Sequence, residues 1–329
     1  MNINGFEMFI RTIPYNMYAL CTIVMLFSLV LLKFDYGPMK KHEDNALNGD
    51  LFTSGEHPYD ENANTEVSDA RVSNLVIPIV LLIATCIAGM LYTGGFFEGE
   101  TLRNAFANTD SAKGMVIGST LTLLVTFILY LVRKALSVKD FMGCFASGFR
   151  SVCEPMLILI LAWNLSGITG LLGADSFIHD LVGSFASGLQ MLLPAIIFLI
   201  SVFLAFSTGT SWGTFTILIP IVCAVYSDNY EMLVISIAAC LSGAVCGDHC
   251  SPISDTTIMS STGAQSDHVN HTTTQLPYAI TAAAVSFAGY VLAGILGFAA
   301  GGGAAMAATP LTLILMVGVL FVIRKRKSK

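Results

Sequence analysis

The residues best suited to chemistry in this chain are carboxylates that stand far from any fixed positive charge. Between Ser151 and Ile323 there is no Lys or Arg in 173 residues, yet Glu154, Asp175, Asp180, Asp228, Glu231, Asp248, Asp255 and Asp267 are all present. Asp175, Asp180, Asp228, Glu231 and Asp267 border polar or Gly-containing turns and read as loop residues. Glu154, Asp248 and Asp255 differ, because apolar sequence closely flanks them. Two polar clusters interrupt that apolar sequence. One is the Ser207–Thr214 segment, with Ser207, Thr208, Gly209, Thr210 and Ser211; the other is the Gly247–Thr257 segment, with Asp248, Ser251, Ser254, Asp255, Thr256 and Thr257.

Carboxylates without a cationic partner favour cations. A hard cation such as Na+ takes several oxygen ligands, which hydroxyls, freed carbonyls and one carboxylate can supply, as they do for other hard cations. A proton can neutralise the same carboxylate, and competition between the two is the minimal chemistry of cation/proton exchange. Asp248 and Asp255 are the candidate ion and proton carboxylates, with the surrounding hydroxyls as ligands. The competing reading is that Ser and Thr only satisfy backbone groups released where a helix is broken. Glu154 opens an apolar run and is either a helix-start acid favoured by the helix dipole or a relay group; Asn164, at the far end of that run, is a weaker candidate. Cys246, His249 and Cys250 match neither a zinc spacing nor a haem-attachment motif. His268 and His271 fall in a polar stretch and read as solvated, with pH sensing as the alternative.

The elements that must position these groups belong in a bilayer. Hydrophobic residues make up 54% of the 329 and charged residues 12%, with a mean hydropathy of +0.73; a soluble enzyme with a polar surface, a disordered chain and a collagen are excluded. A crossing needs about 20 mostly apolar residues, and 13–32, 72–93, 114–132, 152–173, 277–300 and 304–323 qualify. Residues 1–12 lack the features of a secretory signal, so 13–32 is read as a true span. The stretch 191–226 reads as a re-entrant hairpin with its polar tip near the midplane. The stretch 231–261 reads as a helix broken from Cys246 to Pro252, followed by a polar loop over 262–275. The expectation is an all-α polytopic membrane protein with about eight membrane segments, including one re-entrant hairpin and one broken helix.

Domain organisation follows the charges. Residues 1–32 hold the first transmembrane helix, 33–71 an acidic cytoplasmic linker with nine acids, 72–323 the transport region and 324–329 a basic tail. Lys and Arg concentrate in the loops 33–71 and 133–150 and in the tail, which places all three in the cytoplasm. The expected product is a multi-pass protein of the cell membrane with its N-terminus outside and its C-terminus cytoplasmic.

Particular segments carry a resemblance. Thr210-Ser-Trp-Gly-Thr214 and Cys246-Gly-Asp-His-Cys-Ser-Pro-Ile-Ser-Asp-Thr-Thr257 resemble signature segments of the NhaC-type Na+/H+ antiporter family. So do Thr12-Ile-Pro-Tyr-Asn16, Ile160-Leu-Ala-Trp163 and Gln275-Leu-Pro-Tyr278. The resemblance implies the ion-transporter superfamily, with inverted repeats, paired re-entrant hairpins and alternating access. Family members carry an N-terminal repeat ahead of the Ile-Pro-Tyr-Asn segment, and no second Gly/Ser/Thr-rich break lies upstream of residue 150. The chain is therefore expected to be one half of an inverted-repeat transporter that supplies about half of a substrate site.

The expected function is secondary active transport, Na+/H+ antiport first. A sodium/proton-coupled organic-anion exchanger of malate/lactate type is the alternative within transport. A non-transporting fragment or a partner subunit of a split transporter is the alternative outside it. No nucleophile–base arrangement points to an enzyme. Na+ and H+ are cargo, and no cofactor is expected. The expected partners are the lipid bilayer and a missing N-terminal repeat or a second copy, not nucleic acid. Asp255→Asn is expected to abolish exchange in a complete transporter.

Overall fold

In hydrocarbon every backbone donor needs a partner within the protein, so the long apolar runs can only close on themselves as helices. The computed structural model describes residues 5–50, 53, 71–173, 180, 191–226, 229–300 and 302–327, and every regular element among them is a helix. The chain divides into two units, Asp60–Ser151 and the remainder.

The smaller unit contains α4 (Val72–Thr93), α5 (Leu102–Ala107), α6 (Ser111–Val132) and the start of α7 (Val138–Leu171). At 22 residues each, α4 and α6 are about 33 Å long, enough to cross a bilayer. They form a hairpin whose seam is small and polar: Thr85 Oγ1 meets Thr122 Oγ1 at 2.7 Å and the Gly118 carbonyl at 2.9 Å. The Tyr130 hydroxyl donates to the Asn74 carbonyl at 2.9 Å, which closes the open end of the hairpin. The segment 133–150, expected as a loop, is helical from Val138, and α7 continues through the expected span 152–173 as far as Leu171.

The larger unit is built around α10 (Tyr230–Cys250), which carries 16 buried residues. It packs on α8 (Leu193–Thr208), α9 (Ser211–Val225), α12 (His268–Ala300) and α2 (Met17–Leu32). Its contact face is made of small side chains. A Cβ on Gly243 or Gly247 would overlap the Phe198 or Val202 carbonyl of α8, so these helices approach backbone to backbone, as membrane helices with small residues spaced by four do. Gly247 is thus a packing residue inside a continuous helix. The expected break from Cys246 to Pro252 is corrected: α10 runs to Cys250, and the interruption is Ser251–Ser254 before α11 (Asp255–Gly263).

Three other boundaries differ from the expectation. The first crossing is not a single helix over 13–32: α1 (Gly5–Thr12) and a 3-10 turn (Ile13–Tyr15) precede α2, with a 48° bend at the junction. The polar stretch 262–275 is not a loop, because α12 begins at His268. Its hydroxyls are absorbed by the helix itself, Thr272, Thr273 and Thr274 each bonding a carbonyl four residues back, a habit of Ser and Thr that keeps polar sequence helical. The junction expected as a tight Gly301–Gly303 turn contains a short helix, α13 (Gly302–Ala305), ahead of α14 (Ala308–Lys327), with Gly301 outside the described residues. Five helical stretches among the described residues are long and apolar enough to cross a membrane, and six if the bent α1–α2 pair counts as one. With 16 and 15 residues, α8 and α9 reach only about 24 and 22 Å, short of a bilayer core.

Candidate functional site

Three interruptions in the larger unit are restarted by a side-chain cap. Asn16 accepts from the Ala19 amide, Thr210 from Gly213 and Ser254 from Thr257, each the ordinary way of opening a helix. The three breaks have different surroundings, and that difference marks the site.

The Asn16 break is closed. The Pro14 carbonyl accepts from Thr309 Oγ1 at 2.9 Å, and the Tyr15 carbonyl accepts from the fully buried Tyr290 hydroxyl at 2.7 Å. Ser242 of α10 donates to Asn16 Oδ1 at 2.7 Å and lies 2.7 Å from the same Tyr290 oxygen. At the second residue of α2, the Tyr18 hydroxyl meets His249 Nδ1 at 2.8 Å. Every released group named here has a dedicated partner, so this break is held as structure.

The other two breaks meet each other. Gly209, the residue between α8 and α9, has φ +66° and lies so close to Ile253 that a Cβ would stand 2.5 Å from the Ile253 carbonyl oxygen. Both the left-handed backbone and the close approach require glycine. Ser251 Oγ donates to the Phe206 carbonyl at 2.8 Å and ties the start of the second break to the last turn of α8. The C-terminal ends of α8 and α10 therefore converge, and both dipole ends favour a positive charge between them.

Asp248 projects from the last turn of α10 into this junction and is 4% exposed. Thr256 Oγ1 donates to its Oδ2 at 2.7 Å, and Thr256 is linked at 2.9 Å to Ser254 Oγ. Its Oδ1 is buried with no hydrogen-bond partner. The Thr126, Ser201 and Ser236 hydroxyls share that condition among the described residues, but Asp248 alone of the four can carry a full charge. With no Lys or Arg from 151 to 323, an ionised Asp248 has no permanently charged cation to neutralise it within that stretch. A buried, uncompensated carboxylate costs several kcal/mol, on the order of what a bound cation or proton would recover.

The remaining candidates fall into three groups. Ser251, Ser254, Thr256 and Thr257 gather around the last turn of α10, with Thr257 Oγ1 3.4 Å from the His249 carbonyl. Ser207 and Thr208 spend their hydroxyls on the Phe203 and Leu204 carbonyls of their own helix, the competing reading weighed from the sequence; Thr210 caps α9, and Ser211 is buried beside it. Asp255 is half-buried at the first position of α11 and bonds the adjacent Thr256 amide at 2.8 Å. Asn164 sits on an exposed face of α7 and donates to the Ile160 carbonyl of its own helix. Glu154 lies on the α7 backbone, but its side chain falls outside the described residues.

Several residues around the breaks were not singled out as site groups from sequence. Gln275 Nε2 donates to the His249 carbonyl at 2.6 Å and caps the released end of α10. His268 spans Pro252 and α11, with Nε2 2.5 Å from the Pro252 carbonyl and Nδ1 3.0 Å from Ser261 Oγ. It is therefore a bridging group on the first turn of α12, where the sequence reading had a solvated loop residue. Asn16, Ser242 and Tyr290 form the clamp on the first break. For Asn16 a signal existed, since Pro14 ahead of a capping residue is a helix-restart pattern; for Tyr290, inside a long apolar run, there was none. No group of three His, Cys, Asp or Glu among the described residues is placed to hold a metal ion.

A model of the Na+/H+ antiporter family matches residues 1–295. An uncharacterized protein of Haemophilus influenzae is 35% identical over 324 residues, which cover 97% of this chain and 59% of that protein. The malate-2H(+)/Na(+)-lactate antiporter of Bacillus subtilis is 28% identical over 172 residues, 50% of this chain and 36% of its own length. The chain thus spans less than two thirds of the length of either relative. No solved structure matches.

Proposed function

Because this chain belongs to the Na+/H+ antiporter family, we propose that it exchanges Na+ for H+ across the cell membrane at the junction of its two open breaks. The observation that carries the reading is the buried Oδ1 of Asp248, left without a partner where the C-terminal ends of α8 and α10 converge. Na+ bound there would take Asp248 with hydroxyls and released carbonyls around it; a proton on Asp248 would remove the charge that holds the ion. One carboxylate that accepts either cargo, but not both, couples the two flows. Asp255 is the second carboxylate of the site, at the mouth of α11, and Thr256 joins the two by bonding Asp248 through its hydroxyl and Asp255 through its amide. No enzymatic step and no cofactor enters this account.

A second reading is sodium/proton-coupled exchange of an organic anion. It is favoured by the similarity to a malate/lactate antiporter over half of the chain. The lack of Lys and Arg from 151 to 323 weighs against it, although hydroxyls, amides and a bound Na+ can hold a carboxylate. A third reading is that the activity needs a partner, a further repeat or a second copy. Ser207, Trp212 and Thr256 at the breaks are exposed in the single chain, which leaves one side of the site open for such a partner.

The test is reconstitution in vesicles with an internal pH dye. Na+/H+ antiport predicts a Na+-driven pH change without added anion. A pH change that needs malate or lactate would assign the second reading, and activity only after a partner segment is supplied would assign the third. Wild-type exchange in Asp248→Asn would overturn the site.

A further inference from the structure

Away from the transport site, a cavity of about 750 Å³ opens where α2, α3 (Pro38–Leu47) and the end of α14 come together. Its lining mixes apolar residues, Leu29, Val30, Phe34 and Leu47, with charged ones. The charges are of both signs: Lys33, Lys40 and Arg324 against Asp35, Glu43 and Asp44. Some of them are already engaged. The Tyr278 hydroxyl donates to Asp35 at 2.8 Å, and Lys40 lies 3.9 Å from Asp44. That leaves the cations Lys33 and Arg324 and the anion Glu43 with no ion pair among the described residues.

Lys33 is held at its position against its own backbone preference. It ends α2 with φ 50° and ψ 57°, its amide bonded to the Leu29 and Val30 carbonyls. Glycine is the usual occupant of such a left-handed helix end, and a side chain there costs roughly 1–2 kcal/mol. Of the three non-glycine residues with positive φ among the described residues, Lys33, Lys134 and Gln265, Lys33 is the one that lines this cavity. Below it, Ile23, Leu26, Phe27 and Val30 form an exposed apolar stripe on α2, spaced i, i+3, i+4 and i+7, opposite the buried Met17, Tyr18, Cys21 and Met25. The stripe runs straight into the cavity through Val30.

We propose that this cavity is a binding site for one membrane phospholipid with an amine-bearing zwitterionic headgroup, of the phosphatidylethanolamine type. The phosphate lies between Lys33 and Arg324, the ammonium faces Glu43, and an acyl chain follows the Ile23–Val30 stripe. A wholly anionic headgroup would leave Glu43 opposed by like charge, and a soluble phosphate would leave the stripe unused. Cations at the ends of membrane helices are the usual partners of lipid phosphates; the added carboxylate and the continuous apolar track select the headgroup and the lipid.

Native mass spectrometry of the purified full-length chain, in detergent with defined lipid, tests this. Dioleoyl-phosphatidylethanolamine should be retained in preference to dioleoyl-phosphatidylglycerol, and glycerophosphoethanolamine, the headgroup alone, should not be retained. Lys33→Gly removes the cation while keeping the left-handed turn, and Arg324→Ala removes the other from an exposed helix end. Each should lower lipid retention about fivefold, the worth of one cation near a headgroup. Glu43→Gln should erase the preference for phosphatidylethanolamine and leave phosphatidylglycerol binding intact. Equal retention in the cation variants, with helical circular dichroism kept and melting no lower than wild type, would overturn the site. So would wild-type protein that retains no lipid, that holds phosphatidylglycerol as well, or that binds the soluble headgroup equally.

Discussion

A carboxylate that is 4% exposed, bonded through one oxygen to Thr256 and through the other to nothing, is in want of a cation. Two measurable consequences follow for Asp248. In Na+-free alkaline buffer Asp248→Asn should melt higher than wild type, because the buried charge is gone. Na+ should then raise the melting point of wild type alone, by the equivalent of about 2.7 kcal/mol when Na+ stands at about one hundred times its dissociation constant. Equal Na+ stabilisation of both proteins would show that the ion binds elsewhere. Asp255 occupies a milder position. Its carboxylate is half-buried and faces the amide end of α11, so Asp255→Asn should cost roughly 0.3–1 kcal/mol of stability through the helix dipole. It should slow exchange rather than abolish it. That departs from what the residue type alone suggested, for a reason of placement: six residues, including the break, separate the two acids, and burial falls on Asp248.

At the scale of elements, the site depends on two helix ends being brought together and a third break being kept shut. Gly209→Ala would put a Cβ into the Ile253 carbonyl at a left-handed backbone position, at a cost of about 1–2 kcal/mol from the backbone alone. Separating the two breaks in this way should lower Na+ affinity measurably, and unchanged affinity would mean that their contact is incidental. Tyr290→Phe should destabilise the fold by about 1–3 kcal/mol, since the Tyr15 carbonyl and Ser242 lose a buried partner. Thermal melting monitored by circular dichroism checks that value. The interruption between α8 and α9 was legible in sequence because glycine and hydroxyls cut the apolar run, although it is confined to Gly209 and Thr210 within the wider Ser207–Thr214 segment. The second break was legible in kind but misplaced by several residues. Gly247 looked like a breaker, but it is buried against α8, and helix packing overrode its low propensity. The His268–Thr274 stretch misled in the opposite direction, because threonine hydroxyls bonding within their own helix carry no sign of that in composition.

For the whole molecule, the charge distribution reads more directly than any boundary. Lys and Arg confined to residues 1–150 and the tail, around a stretch with acids and neither of them, already read as a multi-pass membrane protein, and the family match agrees with that class. The long-range clamps could not be read from the chain: Asn16 to Ser242 is 226 residues apart and Tyr15 to Tyr290 is 275, and no local pattern announces such pairs. They assemble a scaffold in which one break is sealed and two are left facing each other around Asp248. In the proposed exchange a proton and Na+ compete for that carboxylate. Equilibrium binding of radioactive Na+ to the purified chain, in alkaline and in acidic buffer, measures this competition. Saturable binding should weaken as the buffer is acidified and be absent from Asp248→Asn at either pH. Binding that is indifferent to pH, or that survives the substitution, would contradict that competition.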